Sequence, residues 1–591
     1  MKNKIIERVA QLRQYMQENS LQAFIVVSSD AHSSEYVADY WKSREWISGF
    51  DGSAGTAVIT NDAAALWTDS RYWLAAEEQL SGTGYTLMKD GDSNTPSIAE
   101  WLSSKLQKGD VVGVDGMVCS IKDAATWKGE LGSRGIILDF TNEPFAKIWN
   151  DRPSLPLGHA EIMPMELAGE SAAEKIDRVR ALLHEEDVNG MVVTMLDEIA
   201  WLTNLRGSDV EYNPVLVSYM LITLDNATLY IDERKLTDEV REYLKEQNIL
   251  VAAYDDIWQT LDNCENLKLL TQTTKCSVAI AKKAKQPVYR TDSPIAKLKA
   301  VKNSVEIQGF KKAMLAEGIA MVKLLHWLKP AVKSGGVTEL DVDSKLTELR
   351  REDEDFRGLS FATIAAYGKN GAIVHYEPTS ESNATLYPKG FLLLDCGGQY
   401  NCGTTDITRT VALGALTQEQ REDYTRVLRG HISLAMAKFP KGTCGTQLDV
   451  LARQWLWQAG ENYLHGTGHG VGHCLNVHEG PHQIRMNYMP APLLPGVTVT
   501  NEPGLYKAGR HGIRIENTML VTPHCTTEFG EYCALSPLTI CPIDKAPIIP
   551  ELLGIEAIEY LNSYHAWVFE LLSPYFEGEM FDFLKMQCAP L

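Results

Sequence analysis

Between Leu464 and His482 the chain reads LHGTGHGVGHCLNVHEGPH, gathering five of its fourteen histidines, His465, His469, His473, His478 and His482, among glycines that let backbone approach a ligand closely. Imidazoles at that density suit a metal site or hydrogen-bonding turns. Four carboxylates accompany them. Asp395 and Asp406 lie eleven residues apart in LLLDCGGQYNCGTTDITRT, while Glu502 in TNEPGLY and Glu516 in GIRIENTML fall inside or just after apolar runs. A carboxylate in such a run is rarely buried without a partner charge, so a positive group is expected beside each. Taken alone, Glu516 would be an inward-pointing acid satisfied by Arg514 or another neighbour. Taken together with His469, at the centre of its loop, the four carboxylates are mostly hard oxygen donors that can bridge two divalent cations roughly 3.5–4 Å apart. Without those cations the set is too negative for a structural cluster.

The flanking sequence supplies elements to position these groups. FLLLD from Phe391 predicts a strand, Gly397, Gly398 and Gly403 permit a tight return, and TRTVAL from Thr408 predicts a second strand, so a hairpin would bring Asp395 and Asp406 onto one site. Further strands are expected at VTVTNEP from Val497 and IRIENTMLV from Ile513, with a helix over Gln418 to Lys438. Hairpin-like spacing indicates an antiparallel sheet covered by helices, an α+β domain. Ser304 is placed to cap a long helix, with Glu306 in its first turn, running through Met314, Ile319, Val322 and Leu325 towards Pro330. After Pro542 comes an apolar, aromatic helical tail with Trp567, Phe569, Tyr575 and Phe576, a packing or oligomer surface.

The first three hundred residues contain one unit twice. IERVAQL from Ile6 resembles IDRVRAL from Ile176, WISGFDGS from Trp46 resembles WLTNLRGS from Trp201, and ITNDAAALWTDSR from Ile59 resembles ITLDNATLYIDER from Ile222, in the same order. Each copy opens with an amphipathic helix and alternates strands with helices, predicting two consecutive α/β domains. PSLPLGHAEIMP, with Pro153, Pro156 and Pro164, reads as their linker. The expected segments are 1–155 and 156–300 for the repeats, 301–540 for the α+β domain and 541–591 for the tail.

Length and composition narrow the function classes. A chain of 591 residues exceeds one core, and 45% apolar with 23% charged residues is ordinary for a globular protein. Acidic residues outnumber basic ones, 77 to 56, which argues against a nucleic-acid or anionic-membrane surface and suits metal cations and amine-bearing ligands. The N-terminus interrupts its apolar residues with Glu7, Arg8 and Arg13, unlike a signal peptide, and no uncharged apolar run approaches the roughly 20 residues that span a bilayer. Eleven scattered cysteines without a CxxC pair fit a reducing cytoplasm.

The order Asp395, Asp406, His469, Glu502, Glu516, in the text DCGGQY, TTDITRT, HGTGHGVG, NEPGLY and GIRIEN, resembles the creatinase, prolidase and aminopeptidase P branch of the "pita-bread" metallopeptidases of family M24. With two creatinase-type α/β domains in front and a C-terminal extension behind, it is most similar to the long cytosolic three-domain form. The resemblance implies a dinuclear site, usually of manganese, with cobalt or zinc as alternatives. Asp395 would chelate one ion, His469 and Glu502 the other, and Asp406 and Glu516 would be shared. It implies hydrolysis of the N-terminal Xaa-Pro bond of peptides, by attack of a metal-bridging hydroxide on the scissile carbonyl, with Glu502 as proton carrier. That bond is a tertiary amide without an N–H, so shape and ring packing must identify the proline.

By the same resemblance His465 and His478 serve the scissile carbonyl and its oxyanion as donors, and His375 in IVHYEP walls the proline. Arg71 in LWTDSRYW matches an arginine that in the long family form reaches towards substrate across a homodimer; the alternative is a surface ion pair with Asp69. His473 and His482 read as hydrogen-bonding loop residues. Cys396 departs from the pattern, where relatives commonly carry serine. The rival readings are a prolidase restricted to Xaa-Pro dipeptides, a metal-free creatinase, and a non-catalytic binding platform.

Overall fold

Helix Lys2–Glu18 turns Ile5, Val9, Leu12, Tyr15 and Met16 inward at helical spacing. The equivalent helix Ala172–Glu185 buries Ile176, Val179 and Leu183, and starts in a capping box between Ser171 and Glu174. Each helix leads into the strand about which a six-stranded sheet is built. In the first sheet Ala23–Val27 pairs antiparallel with Thr56–Thr60 on one side and parallel with Val111–Val114 on the other. In the second, Gly190–Val193 pairs antiparallel with Ser218–Thr223 and parallel with Lys268–Gln272. Outer strands extend both sheets in the same order, Thr86–Lys89 and Ala64–Thr68 at one edge and Ile137–Asp139 at the other, matched by Ile249–Ala252, Ala227–Ile231 and Gln286–Arg290. The sequence repeat is thus a repeat of topology.

These coordinates come from a computed structural model, which describes residues 2–591. They divide into two compact units. One comprises the chain up to Met165 with Glu170–Ala296 and holds both six-stranded sheets; the other comprises Glu166–Gly169 with Lys297–Leu591. No helix among the described residues is long and apolar enough to cross a membrane.

The second unit is built of antiparallel pairs. Phe391–Cys396 lies between Ile364–Tyr367 and Ile407–Ala412. A four-stranded sheet runs Lys438–Pro440, Gly530–Pro537, Asn517–Thr527, Thr498–Asn501. Helix Ser304–Ser334 lays Phe310, Met314, Met321, Leu324 and Leu328 into the core. Its N-cap is Asn303 rather than Ser304, because the Asn303 carboxamide accepts from the backbone of both Val305 and Glu306 while the Glu306 side chain returns to Asn303. The helix also continues beyond Pro330 to Ser334, although proline has no N–H to donate back along the helix. The expected helix Gln418 to Lys438 stops at Ala435, since Lys438–Pro440 pairs with Gly530–Pro537.

The aromatic tail packs inward. Leu561, Tyr564, Val568, Leu572 and Leu584 share a core with Phe310, Met314 and Val427, and the Arg409 guanidinium donates to Tyr564 and to the carbonyls of Cys541 and Pro542. One difference shapes the site directly. IRIENTMLV does not form one strand: His511–Arg514 pairs with Gly504–Lys507, whereas Asn517–Thr527 joins the four-stranded sheet. Glu516 sits in the break, its N–H donating to the Thr408 carbonyl at 3.1 Å.

A candidate metal centre

The register of two strands carries the first pair of carboxylates. Asp395, near the end of Phe391–Cys396, faces Thr408, and Asp406 immediately precedes Ile407–Ala412 after the short strands Gly398–Tyr400 and Gly403–Thr404 have turned the chain back. His469 is central in the short strand Gly468–Gly470, which pairs with Glu479–Ile484. This strand lies close against Thr498–Asn501: a Cβ on Gly468 would meet the Thr500 carbonyl oxygen at 1.9 Å, so only glycine fits. Glu502 follows that neighbouring strand directly.

These elements bring the ligand-type atoms together. Asp406, His469 and Glu516 each offer one atom within 4.8 Å of the others. His469 Nε2 is 3.5 Å from Asp406 Oδ2 and 3.3 Å from Glu502 Oε1. Thr408 Oγ1 donates to Glu516 Oε2 at 2.8 Å, and Thr500 Oγ1 donates to Glu502 Oε1 at 3.2 Å, each orienting a carboxylate. Arg514 donates through Nε and Nη2 to Asp395 Oδ2 at 2.9 and 2.5 Å. The sequence suggested Arg514 as a partner for Glu516; the hairpin instead aims it at Asp395. Asp395 Oδ1 is buried with no hydrogen-bond partner among the described residues.

Three features fit cations. His469 Nδ1 lies 2.8 Å from the Gly470 carbonyl, which only accepts, so Nδ1 carries a hydrogen and Nε2 is the ring nitrogen turned to two carboxylate oxygens. An imidazole nitrogen and two carboxylate oxygens converging at these distances are a donor set for a divalent cation. Burial pushes the carboxyls of Asp406 and Glu516 well above the usual range, and the Asp395 and Glu502 carboxylates raise both further, while a hydrogen bond from Glu516 pulls Asp406 back. Burial also pushes Glu502 up to about 7, with Arg514 opposing and Asp395 adding to the rise. The orphaned Asp395 oxygen is the third feature.

Around this cluster, the His478 ring packs edge-on against His469 with centroids 4.4 Å apart. His465 contacts the Gly466 carbonyl through Nδ1 and the Tyr506 hydroxyl through Nε2, at 2.7 and 2.9 Å. Tyr506 in turn accepts from Arg514 Nη1 at 2.7 Å, so a continuous chain of hydrogen bonds runs from His465 to Asp395. Tyr506 was missed in the sequence; its only signal is an aromatic residue four positions after Glu502. His375 follows Val374, whose carbonyl accepts from Arg514 Nη2 at 3.2 Å. His482 donates to the Thr498 carbonyl at 2.7 Å, and His473 packs near Phe310. Cys396 is fully buried beside Met321. Arg71 belongs to the other unit, where it forms a two-bond pair with Asp69, Nε to Oδ1 at 2.9 Å and Nη2 to Oδ2 at 2.8 Å.

Comparison with known proteins places this architecture. Residues 308–523 match the model of metallopeptidase family M24, residues 8–143 and 151–306 each match the creatinase/prolidase N-terminal domain, and residues 531–591 match the C-terminal region of the same peptidases. The chain belongs to metallopeptidase family M24. Within it, the chain is similar over 99% of its length to probable Xaa-Pro aminopeptidases P of Laccaria bicolor, 41% identical, and Aspergillus clavatus, 39% identical, covering 93% of each. X-prolyl aminopeptidase from Caenorhabditis elegans, described as a cytosolic enzyme with a di-nuclear active site, superimposes with a TM-score of 0.96 at 32% identity, over 99% of this chain and 100% of that one. An Xaa-Pro dipeptidase from Bacillus anthracis, 25% identical, reaches a TM-score of 0.52 over 64% of this chain and 100% of its own. The resemblance drawn from the five motifs is borne out, as is the multidomain fold of α/β domains followed by a pita-bread domain.

Proposed function

We propose that the chain is a metal-dependent aminopeptidase that cleaves the first peptide bond of substrates with proline in second position. The observation that carries it is the meeting of His469 Nε2 with the Asp406 and Glu502 carboxylates, beside Glu516, on a chain related over 99% of its length to Xaa-Pro aminopeptidases. Asp395, Asp406, His469, Glu502 and Glu516 would hold two divalent ions, manganese first, with cobalt or zinc accepted by the same donors. Such ions, when bound, supply a nucleophile at neutral pH by lowering the pKa of water towards roughly 7, and polarise the substrate carbonyl.

The chain's own groups do the rest. Glu502 takes the proton given up by the attacking water and passes it to the proline nitrogen, which leaves as an amine. His478 donates to the carbonyl oxygen as negative charge develops there, and His465 does the same by turning its Nδ1–H from the Gly466 carbonyl. His375 walls the proline ring, and Arg71 reaches substrate across a homodimer, exchanging its Asp69 pair for that contact. Residues 1–155 and 156–300 act as N-terminal domains, 301–540 as the catalytic domain and 541–591 as its extension, in a cytoplasmic enzyme without nucleic-acid or membrane partners.

Mass spectrometry of products decides the specificity. The chelated protein should be inert and, with manganese restored, should release the first residue of an Xaa-Pro-Xaa tripeptide. Hydrolysis confined to Xaa-Pro dipeptides would make it a prolidase, and no hydrolysis with manganese, cobalt or zinc would leave the binding-platform reading.

A further inference from the structure

Behind the histidine loop lies a buried ion pair that takes no direct part in the proposed reaction. Asp449 and Arg453 are four residues apart on one face of helix Gly445–Trp457, their side chains 3% and 0% exposed, with Arg453 Nε donating to Asp449 Oδ2 at 2.5 Å. The chain leaving this helix turns back and wraps residues 462–467 around the guanidinium. Nη1 donates to Asn462 Oδ1 at 3.1 Å and to the Tyr463 carbonyl at 2.5 Å; Nη2 donates to the His465 carbonyl at 2.8 Å and to Thr467 Oγ1 at 3.4 Å. All five N–H groups of the side chain are therefore engaged.

The wrapped segment carries His465 and abuts Glu502. The Tyr463 ring lies under the guanidinium, 3.8 Å from Cζ to ring centroid, and against the His465 ring at 4.8 Å. Thr467 donates its hydroxyl to Asp449 Oδ1 at 2.5 Å and accepts one from Tyr463 at the same distance. Its carbonyl then accepts the N–H of Glu502 at 2.8 Å. A single guanidinium thus fixes the backbone on which His465 stands and, through Thr467, the backbone of Glu502. An ion pair removed from water adds little net stability compared with an apolar pair, whereas a planar fork holding four acceptors of one loop sets a geometry that a point charge cannot reproduce.

We propose that Arg453 is a positioning residue for the reaction, holding His465 and Glu502 in register with one another, with Asp449 and Thr467 as its supports. This role presupposes the Xaa-Pro aminopeptidase activity proposed above. Arg453 touches no substrate; it acts through the loop.

Arg453→Lys keeps the charge beside Asp449 and removes the fork. In the manganese-loaded full-length protein the expected result is a kcat lowered about 10- to 100-fold, with metal stoichiometry and KM for an Xaa-Pro-Xaa tripeptide nearly unchanged and a thermal midpoint lowered but still above the assay temperature. Thr467→Val, expected to follow Arg453→Lys, and Thr467→Ser, expected to retain wild-type kcat, carry the same test if the lysine variant does not fold. A crystal structure of the substituted protein provides a readout independent of turnover: the His465 ring leaves Tyr506, or the Glu502 N–H leaves the Thr467 carbonyl. An active wild type with an unimpaired Arg453→Lys, a kcat loss that merely tracks lost metal or lost fold, or a variant structure superimposable on the wild type would overturn the proposal. An inactive wild type would instead count against the aminopeptidase reading, and the crystallographic arm still judges Arg453.

Discussion

Glu502 stands where two demands meet: it is close enough to His469 Nε2 to share a cation, and it is a carboxyl that burial raises to about 7. Glu502→Gln keeps size and the Thr500 hydrogen bond but cannot carry a proton, so turnover should fall at least ~100-fold while peptide binding persists. Steady-state kinetics beside calorimetric titration of the variant with a tripeptide checks it; near-normal kcat would remove Glu502 from proton transfer. Arg514 is the corresponding test for Asp395. Arg514→Met leaves one Asp395 oxygen without its guanidinium partner and frees Tyr506, so metal retained after dialysis should drop, by roughly 10- to 100-fold in affinity, and Arg514→Lys should not restore it because two N–H bonds converge on one oxygen. The five ligand-type residues were legible because residue type and order alone mark hard-donor chemistry. Tyr506 and Arg453 were not, and Arg514 was given the wrong partner, because their partners are fixed by strand pairing and loop closure rather than by neighbours in sequence.

The hairpin of Gly504–Lys507 with His511–Arg514 delivers Tyr506 and Arg514 together, so its seating matters more than any one side chain on it. Gly512 is the tightest point: a Cβ there would meet the Gly371 carbonyl oxygen at 1.6 Å, and backbone cannot yield as a flexible side chain can. Gly512→Ala should cost about 3 kcal/mol or more, seen as a lower urea midpoint, and should weaken metal retention as Arg514→Met does. A variant that lost neither would mean the hairpin is free to shift. At this scale, apolar periodicity was sufficient for Phe391–Cys396 and for the internal repeat, whose two sheets share one strand order. It failed at Glu516. IRIENTMLV alternates well enough for one strand, but two sheets claim its halves, and the break that frees Glu516 to face the cluster arises from that competition.

Across the whole molecule, burial of imidazoles couples stability to pH away from the catalytic cluster. His565, in helix Ile555–Leu572, is fully buried and accepts the Ile543 N–H on Nε2 at 3.0 Å, which requires the neutral ring. Burial, helped by Lys545 and Arg409, pushes its pKa down to about 3 from 6.5. His431, buried against Asn501, is likewise lowered to about 3 by burial and then by Arg409. Between those values the unfolded chain binds protons that the folded chain refuses, so these histidines make stability fall as pH drops from about 6.5 towards 3, by at most about 1.4 kcal/mol per pH unit for each. Carboxyls raised by burial around the metal centre act in the opposite sense, so a variant isolates the effect better than the wild-type curve. His565→Gln retains an acceptor for Ile543 without a titrating group. Urea unfolding at pH 7.5, 6 and 5 should show a shallower decline for His565→Gln, less steep by close to one proton's slope. Parallel curves for the two proteins would mean that His565 takes up its proton in the folded state as readily as in the unfolded one.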